Sequence, residues 1–224
     1  MEDEKKIIKV EYPLTKIRQG KRNEEVINPI PQHVTFDQYN KMREAIKMYW
    51  LVKAEKRGRK STFPFFALRD SLFIELLWVT GGRVTDICQL NAKDFDFQAK
   101  TLTFWIEKAN KFHTITIDVE TCLTVRDYTA NFNLQDRLFN FKRVQAFKIV
   151  RRAGELIGVK GLHPHTFRHG LAIYLRMSGI ALDIISRRLG HANIGITMKF
   201  YQNLSLEEIR TELKDVKWKS DTTT

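Results

Sequence analysis

Cysteine is scarce in this chain. Cys88 and Cys122 stand far apart and form no C-x-x-C pair, which argues against a zinc ribbon or a dithiol redox site. Two isolated thiols suit a reducing compartment. Acidic residues are also in deficit: 26 Asp and Glu face 38 Lys and Arg, leaving a net charge of +12. That balance favours a polyanionic partner, either nucleic acid or an anionic membrane surface. No apolar run approaches the roughly 20 residues that span a bilayer. The opening MEDEKKIIKVEYP lacks the apolar centre of a secretory signal. There is no internal repeat, and no low-complexity stretch beyond the terminal Asp-Thr-Thr-Thr. These absences leave a soluble, cytoplasmic protein facing DNA or RNA; charge alone does not choose between the two.

What is present is a globular composition. The 224 residues are 43% hydrophobic and 11% aromatic, enough for one large domain or a domain with a small appendage. Residues 1–33 read as a basic arm or linker, with Lys16, Arg18, Lys21 and Arg22 around Gly20. Thr35 is placed to cap a helix through Met42, Ile46 and Trp50. It leads into a cationic run, Lys53, Lys56, Arg57, Arg59 and Lys60, around Gly58, which reads as a loop suited to phosphate contact. Phe63 to Val79 is the most apolar helix, with Leu68, Leu72, Leu76 and Val79 on one side and Phe73 and Leu77 beside them. It ends at Thr80-Gly81-Gly82-Arg83, and a helix restarts at Val84. A Gly-Gly turn at a helix start leaves backbone amides open to an anion, and Arg83 is placed either to hold one or to pair with Asp86.

The period then changes. Leu102, Phe104 and Ile106 alternate with Thr101, Thr103 and Trp105. A turn at Lys108 to Lys111 follows, then a second alternation from His113 to Ile117. This is a β-hairpin signature, preceded by a short strand at Phe95 to Phe97. Glu120 to Asn131 and Phe141 to Ile157 read as helices. The second places Val144, Phe147, Val150 and Ile157 on an inner stripe, with Lys142, Arg143, Lys148, Arg151 and Arg152 outward or flanking. That charged face is nearly all of one sign, which suits a DNA backbone. The fold class is therefore mainly α with a small antiparallel sheet.

The chemistry gathers in Gly161 to Asn203. Pro164 suits a first helical turn. His165 and Arg168, three apart, share a helix face, and Phe167, Leu171, Tyr174 and Leu175 follow at helical spacing. A second amphipathic helix places Leu182, Ile185 and Leu189 inward and Arg187 and Arg188 outward. Gly190 caps it, fixing His191 at a corner, and Tyr201 lies ten residues on. An arginine fork clamps phosphate oxygens, imidazoles move protons near neutral pH, and a phenol can be a covalent nucleophile. His165 and His169, four apart, could also hold zinc. Residue 166, however, is Thr rather than the Glu of a zinc peptidase, and no carboxylate stands nearby; His169 reads better as a structural hydrogen-bonding group. Beyond Tyr201, Ser205 to Glu208 is a capping box that starts a helix with Leu206, Ile209, Leu213 and Val216 as a stripe.

These boxes resemble the catalytic core of the tyrosine recombinases, the family of phage integrases and Xer-type resolvases. His165 to Gly170 resembles the H-x-x-R box, Leu189 to His191 the L-G-H box, Thr80 to Ile87 the first arginine box, and Glu107 to Lys111 the hairpin that carries a lysine. The spacing from His191 to Tyr201 is one residue longer than the common pattern. The resemblance covers roughly residues 34–205 and implies the DNA breaking-rejoining catalytic-core fold, in a domain over 34–204. It implies catalytic roles for Arg83, Lys108 (with Lys111 as substitute), His165, Arg168, His191 and Tyr201, with Asp86 in support. It also implies cleavage through a 3′-phosphotyrosine bond without metal, ATP or other cofactor. The implied partners are double-stranded DNA, further copies in a synaptic tetramer, and accessory DNA-bending or directionality proteins, with no membrane and a nucleoid setting. Residues 205–224 would then either pack on their own domain or dock on a neighbouring subunit. Only some 30 residues precede the catalytic part, where family members carry a core-binding domain of about a hundred residues. Two other classes share these residues in whole or part: a type IB topoisomerase-like relaxing enzyme, and a silent DNA-binding protein of the same fold.

Overall fold

The structure is a computed structural model that describes residues 32–57, 63–191 and 195. Helix α1 (Phe36–Arg57) begins at a reciprocal cap. The Gln38 amide donates to Thr35 Oγ1 at 3.2 Å, and the Thr35 amide donates to Gln38 Oε1 at 3.1 Å. Lys53, Lys56 and Arg57, read from sequence as loop, belong to the last turns of this helix. Lys53 lies over the rings of Tyr49 and Trp50, contacts that favour continuing the helix.

Helix α2 (Phe63–Thr80) returns antiparallel to α1. Pairs such as Trp50–Phe66 and Tyr39–Trp78 mark the seam. Leu72, Phe73, Ile74, Leu76 and Leu77 are essentially inaccessible. The expected apolar side is broken at one place, since Leu68 is exposed. α2 also buries two carboxylates, each with a cation. Asp70 accepts from Arg69 at 2.7 Å and from Trp50 Nε1 at 2.8 Å, and Glu75 meets Arg43 at 2.8 Å. Unpaired, either carboxylate would be costly at that depth.

Helix α3 (Val84–Cys88) leads into a three-stranded antiparallel sheet in the order β1-β2-β3. The strands are Phe95–Asp96, Thr101–Ile106 and Lys111–Thr116. Leu102 pairs with Ile115 and Phe104 with His113. Leu102, Phe104, Ile106 and Ile115 therefore fill the core face, as the alternation requires. Helix α4 (Val119–Asn131) is capped by Asp118, whose carboxylate accepts from the Thr121 amide at 2.8 Å.

Helix α5 (Arg143–Leu156) turns differently from the sequence reading. Its buried residues are Ala146, Ile149, Val150, Ala153 and Gly154, whereas Val144 is 70% and Phe147 36% exposed. The small residues at 146, 153 and 154 let neighbouring backbones come close, so the helix presents its least bulky face to the core. Of the expected stripe, Val150 is buried and Ile157 packs against the core, whereas Val144 and Phe147 face outward. Helix α6 (Pro164–Met177) starts with proline in its first turn, and α7 (Leu182–Arg188) follows the turn at Gly179.

The α6 backbone is pinned to the start of α1. The Val34 amide donates to the Thr166 carbonyl at 3.1 Å. A Cβ added to Gly170 would land on the Val34 carbonyl. Gly170→Ala should therefore force two backbones apart and cost about 3 kcal/mol, seen as a clear drop in Tm. A melt unchanged within a degree would show that this junction is looser than its geometry.

Candidate active site

Three turns and one helix start meet at the C-terminal end of α2. The first turn is Thr80 to Arg83. Thr80 Oγ1 donates to the Leu76 carbonyl at 2.6 Å and accepts from the Gly82 amide at 2.9 Å. The sequence expectation of an open Gly-Gly amide is thus not met at Gly82. Gly81 has φ +59°, and a Cβ there would lie 2.5 Å from Leu189 Cδ2, so the pair serves close packing instead. Arg83 is the N-cap residue of α3 with extended backbone. Its Nη1 is buried without a hydrogen-bond partner, as is Oδ2 of Asp86 in the same helix. Burial pushes the Asp86 carboxyl up, and the Arg83 guanidinium pulls it back, with the backbone amide of Glu107 acting in the same direction as Arg83.

The second turn ends α7. Gly190, at φ +66°, donates to the Arg187 carbonyl at 2.9 Å, and the His191 amide donates to the Ser186 carbonyl at 3.0 Å. This pair of bonds is a Schellman motif with His191 as its last member. A Cβ at Gly190 would meet Ile106 Cδ1 at 2.5 Å and the His113 ring at 3.4 Å, so the corner is seated on the sheet. Arg188, expected outward, turns in. Its Nη1 donates to the Thr116 carbonyl and its Nη2 to the Val79 carbonyl at 2.7 Å. A cation is favourable at the C-terminal end of α2, where carbonyls lack helical partners. Nothing in the helical spacing of Arg188 signals this role. The same holds for His113, whose Nε2 lies 3.0 Å from the Arg188 carbonyl.

The third turn is the hairpin tip. Glu107–Ala109 form a single 3-10 turn, and Asn110 takes the left-handed conformation. Lys108 is exposed there, and Lys111 opens β3. Lys111 also lines a hollow of about 420 Å³ between β3 and α7, with His113, Arg187, Arg188, Gly190 and His191 among its walls.

The α6 start supplies the rest. Arg168 is 5% exposed and donates from Nη1 to the Gly81 carbonyl at 2.7 Å and from Nη2 to the Leu189 carbonyl at 2.8 Å. It ties the first two turns together. His165 and His169 meet edge to face with ring centroids 4.6 Å apart. The electrostatics are one-sided. Burial and the Arg83 charge bring Arg168 down to about 10. Burial, then Arg168 and Arg83, bring His191 down to about 4. His169 also falls to about 4, through burial and the neighbouring histidines. His165 is lowered by burial, Arg168, His163, Arg83 and Lys108. Arg83, Lys108, His165, Arg168 and His191 thus share one electrostatic neighbourhood, with Asp86 as the carboxylate among them. Among the described residues no group of three His, Cys, Asp or Glu side chains could hold a metal ion.

Tyr201, Arg59 and Lys60 lie outside the described residues, and of Arg57 only the backbone position is given. Lys56 is exposed near the end of α1; Lys142, Arg143 and Arg151 are exposed on or beside α5. Arg152 is placed elsewhere: it is half-buried over the rings of Tyr49 and Trp50.

Residues 60–208, well over half of the chain, match the phage integrase family. The chain belongs to that family. Among its relatives is the tyrosine recombinase XerA of Saccharolobus solfataricus, 29% identical over 144 residues that cover 64% of this chain and 49% of XerA. Two solved structures share the fold. A crystal structure of XerA recombinase superposes with a TM-score of 0.65 at 21% identity, covering 85% of this chain and 67% of that one. XerH site-specific recombinase bound to its difH substrate, in a pre-cleavage complex, gives 0.65 at 20% identity, covering 86% and 55%. The chain spans about half the length of the relatives it matches in sequence.

The lowered histidines have a consequence for stability. In the unfolded chain they titrate near 6.5, whereas His169 and His191 stay neutral to about 4 when folded. Between those values the unfolded state binds more protons, so their contribution is full above about 6.5 and is lost as pH falls towards 4. The raised carboxyls of Asp70, Glu75 and Asp86 act in the opposite sense, so the histidine effect is read as a difference. The Tm of His169→Asn should fall less than that of wild type between pH 7 and 4.5. Parallel curves would mean that His169 titrates normally in the fold.

Proposed function

We propose that this chain cuts and rejoins DNA at specific sites through a covalent 3′-phosphotyrosine intermediate, as a recombinase needing no metal ion or ATP. One observation carries the reading: among the described residues, Arg83 Nη1 is buried without a hydrogen-bond partner beside a fixed Arg168, in a neighbourhood where cations outnumber carboxylates. Such a site is complete only with an anion in it, and a phosphodiester has the charge and the two non-bridging oxygens to suit.

In the proposed reaction the phenol oxygen of Tyr201 attacks the scissile phosphorus. The bond from phosphorus to the 5′ oxygen breaks as the new 3′-phosphotyrosine bond forms. His165, neutral because its pKa is lowered, takes the phenol proton. Lys108, with Lys111 as the alternative donor on the same hairpin, gives a proton to the leaving 5′ oxygen. Arg83, Arg168 and His191 stabilise the charge that builds on the phosphorane, and Asp86 holds Arg83 in line. The intermediate keeps the energy of the broken bond, so a 5′-hydroxyl from another duplex reseals the strand. Family membership supports the DNA substrate, and the XerH complex with difH is consistent with it. A tetramer on two sites and accessory proteins belong to this proposal.

The test is covalent capture. The protein is mixed with nicked random-sequence duplexes in EDTA, and SDS-resistant adducts are measured. Wild type should form adducts and Tyr201→Phe none, with DNA binding near wild type in both. An adduct with the Phe variant would remove Tyr201 from its role; no adduct with wild type would point to a DNA-binding protein of the same fold. Binding should also weaken about 10³-fold between 50 and 200 mM salt, the response of an interface with six or more phosphate contacts. A flat response would count against a phosphate-dominated interface.

A further inference from the structure

The groups proposed to hold the phosphate and the lysine proposed to protonate the leaving oxygen sit on different elements. The first belong to α6 and to the turns at Arg83 and His191; the lysines belong to the β2–β3 hairpin. A two-stranded tip is weakly held by its own ladder, so it needs a tether to present a lysine at a fixed place. We infer that His113 and Arg188 form that tether, a clasp that positions the hairpin lysine against the His191 corner. Both are then positioning residues for protonation of the leaving 5′ oxygen. This rests on the proton-donor role proposed above for Lys108, with Lys111 as the alternative.

The clasp is reciprocal. Arg188, in the last turn of α7, donates from Nη1 to the Thr116 carbonyl of β3. His113, in β3, reaches back to the Arg188 carbonyl, with Nε2 at 3.0 Å. A carbonyl only accepts, so the imidazole carries its proton on Nε2. The other branch of Arg188 extends the clasp to α2, where Nη2 donates to the Val79 carbonyl at 2.7 Å, shortly before the turn that bears Arg83.

The clasp grips the root of the hairpin. His113 pairs with Phe104 across the ladder and meets its ring edge to face, with centroids 5.6 Å apart. Lys111 shares a strand face with His113, one side-chain period nearer the tip. On the other strand, Ile106 directly precedes the turn that holds Lys108. A Cβ at Gly190 would strike Ile106 Cδ1 and touch the His113 ring, so the residue before His191 rests on both strands at the root. Lys108 and Phe112, nearer the tip, are exposed, which leaves the root to set where the lysines lie. Burial is the main influence that lowers the His113 pKa. The Arg188 carbonyl opposes it, and the charges of Lys111, Arg188 and Arg168 add to the lowering. A neutral ring still donates from Nε2, so the clasp does not depend on a charge that its neighbours oppose.

The test uses two versions of the nicked duplex recovered by covalent capture, one with oxygen and one with sulfur at the bridging 5′ position of the scissile phosphate. When the phosphorus–oxygen bond breaks, the leaving alkoxide takes its proton from the lysine. When the phosphorus–sulfur bond breaks, a thiolate leaves without one, since thiols ionise near 8.5. His113→Leu removes the Nε2 donor, and Arg188→Lys keeps the charge but loses the fork that reaches two carbonyls. His113→Gln keeps an N–H at a similar reach. On the oxygen duplex, His113→Leu and Arg188→Lys should form the adduct about 10²-fold more slowly at saturating DNA, the loss that goes with a displacement of about 1 Å. His113→Gln should stay near the wild-type rate. On the sulfur duplex all three should match wild type, and their affinity for DNA should be unchanged. Equal losses on the two duplexes would overturn the inference, because they would mean damage to the fold or to the phosphate-binding groups. So would wild-type rates for both His113→Leu and Arg188→Lys on the oxygen duplex. Failure of the recombination proposal looks different: wild type itself would form no adduct on either duplex, which would also remove the step the clasp serves.

Discussion

The buried guanidinium of Arg168 is the constraint on which the candidate site depends. It crosses from α6 to the carbonyls of Gly81 and Leu189, so a single side chain fixes the distance between the turn before α3 and the turn after α7. Both turns are already rigid. One is closed by Thr80 and packed through Gly81; the other is a Schellman motif seated on Ile106 and His113. Arg188 adds a second clasp from α7 to α2 and β3. Charged hydrogen bonds inside a low-dielectric setting are strong, and leaving either carbonyl unpaired would be costly. The result is a corner where Arg83 and His191 are held by different elements yet cannot move independently.

That rigidity has an electrostatic cost, and the cost has a direction. Arg168, His165, His169 and His191 all have lowered pKa values because burial and neighbouring cations oppose more positive charge. Asp86 offsets part of this, but its own carboxyl is raised by burial. His165, His169 and His191 are therefore biased towards their neutral forms. A negative charge brought into this corner would favour the charged forms instead.

Much of this was legible in the sequence, and the parts that were not have physical reasons. The period-2 runs at 101–106 and 113–117, the cap at Thr35, Pro164 in the first turn of α6 and the glycine after α7 each follow from local chemistry, and each appears where expected. Arg83, Lys108, His165, Arg168 and His191 were singled out chiefly because their local sequences resemble the boxes of a known family, and the structure puts them in one electrostatic neighbourhood. Arg188 could not, because its contacts are to backbone carbonyls 72 and 109 residues away, and a carbonyl has no sequence signature. Val144 and Phe147 were assigned inward because size was taken for burial. α5 instead packs through alanine, and that choice depends on how close its neighbours come, a tertiary fact. The open amide expected at Gly82 failed for a similar reason: the nearby Thr80 hydroxyl satisfied it first.

The two arginines of the site then divide one task. Arg168 spends Nη1 and Nη2 on backbone and is nearly inaccessible, so it contributes a fixed field more than a free fork. Arg83 is half-buried, and its Nη1 is held out of water with no hydrogen-bond partner among the described residues. A buried donor in that state is destabilising by itself. Lysine at position 83 would keep the charge but lose the planar fork that can meet two oxygens at once. The corner is thus shaped by what the fold withholds from Arg83 as much as by what it supplies to Arg168.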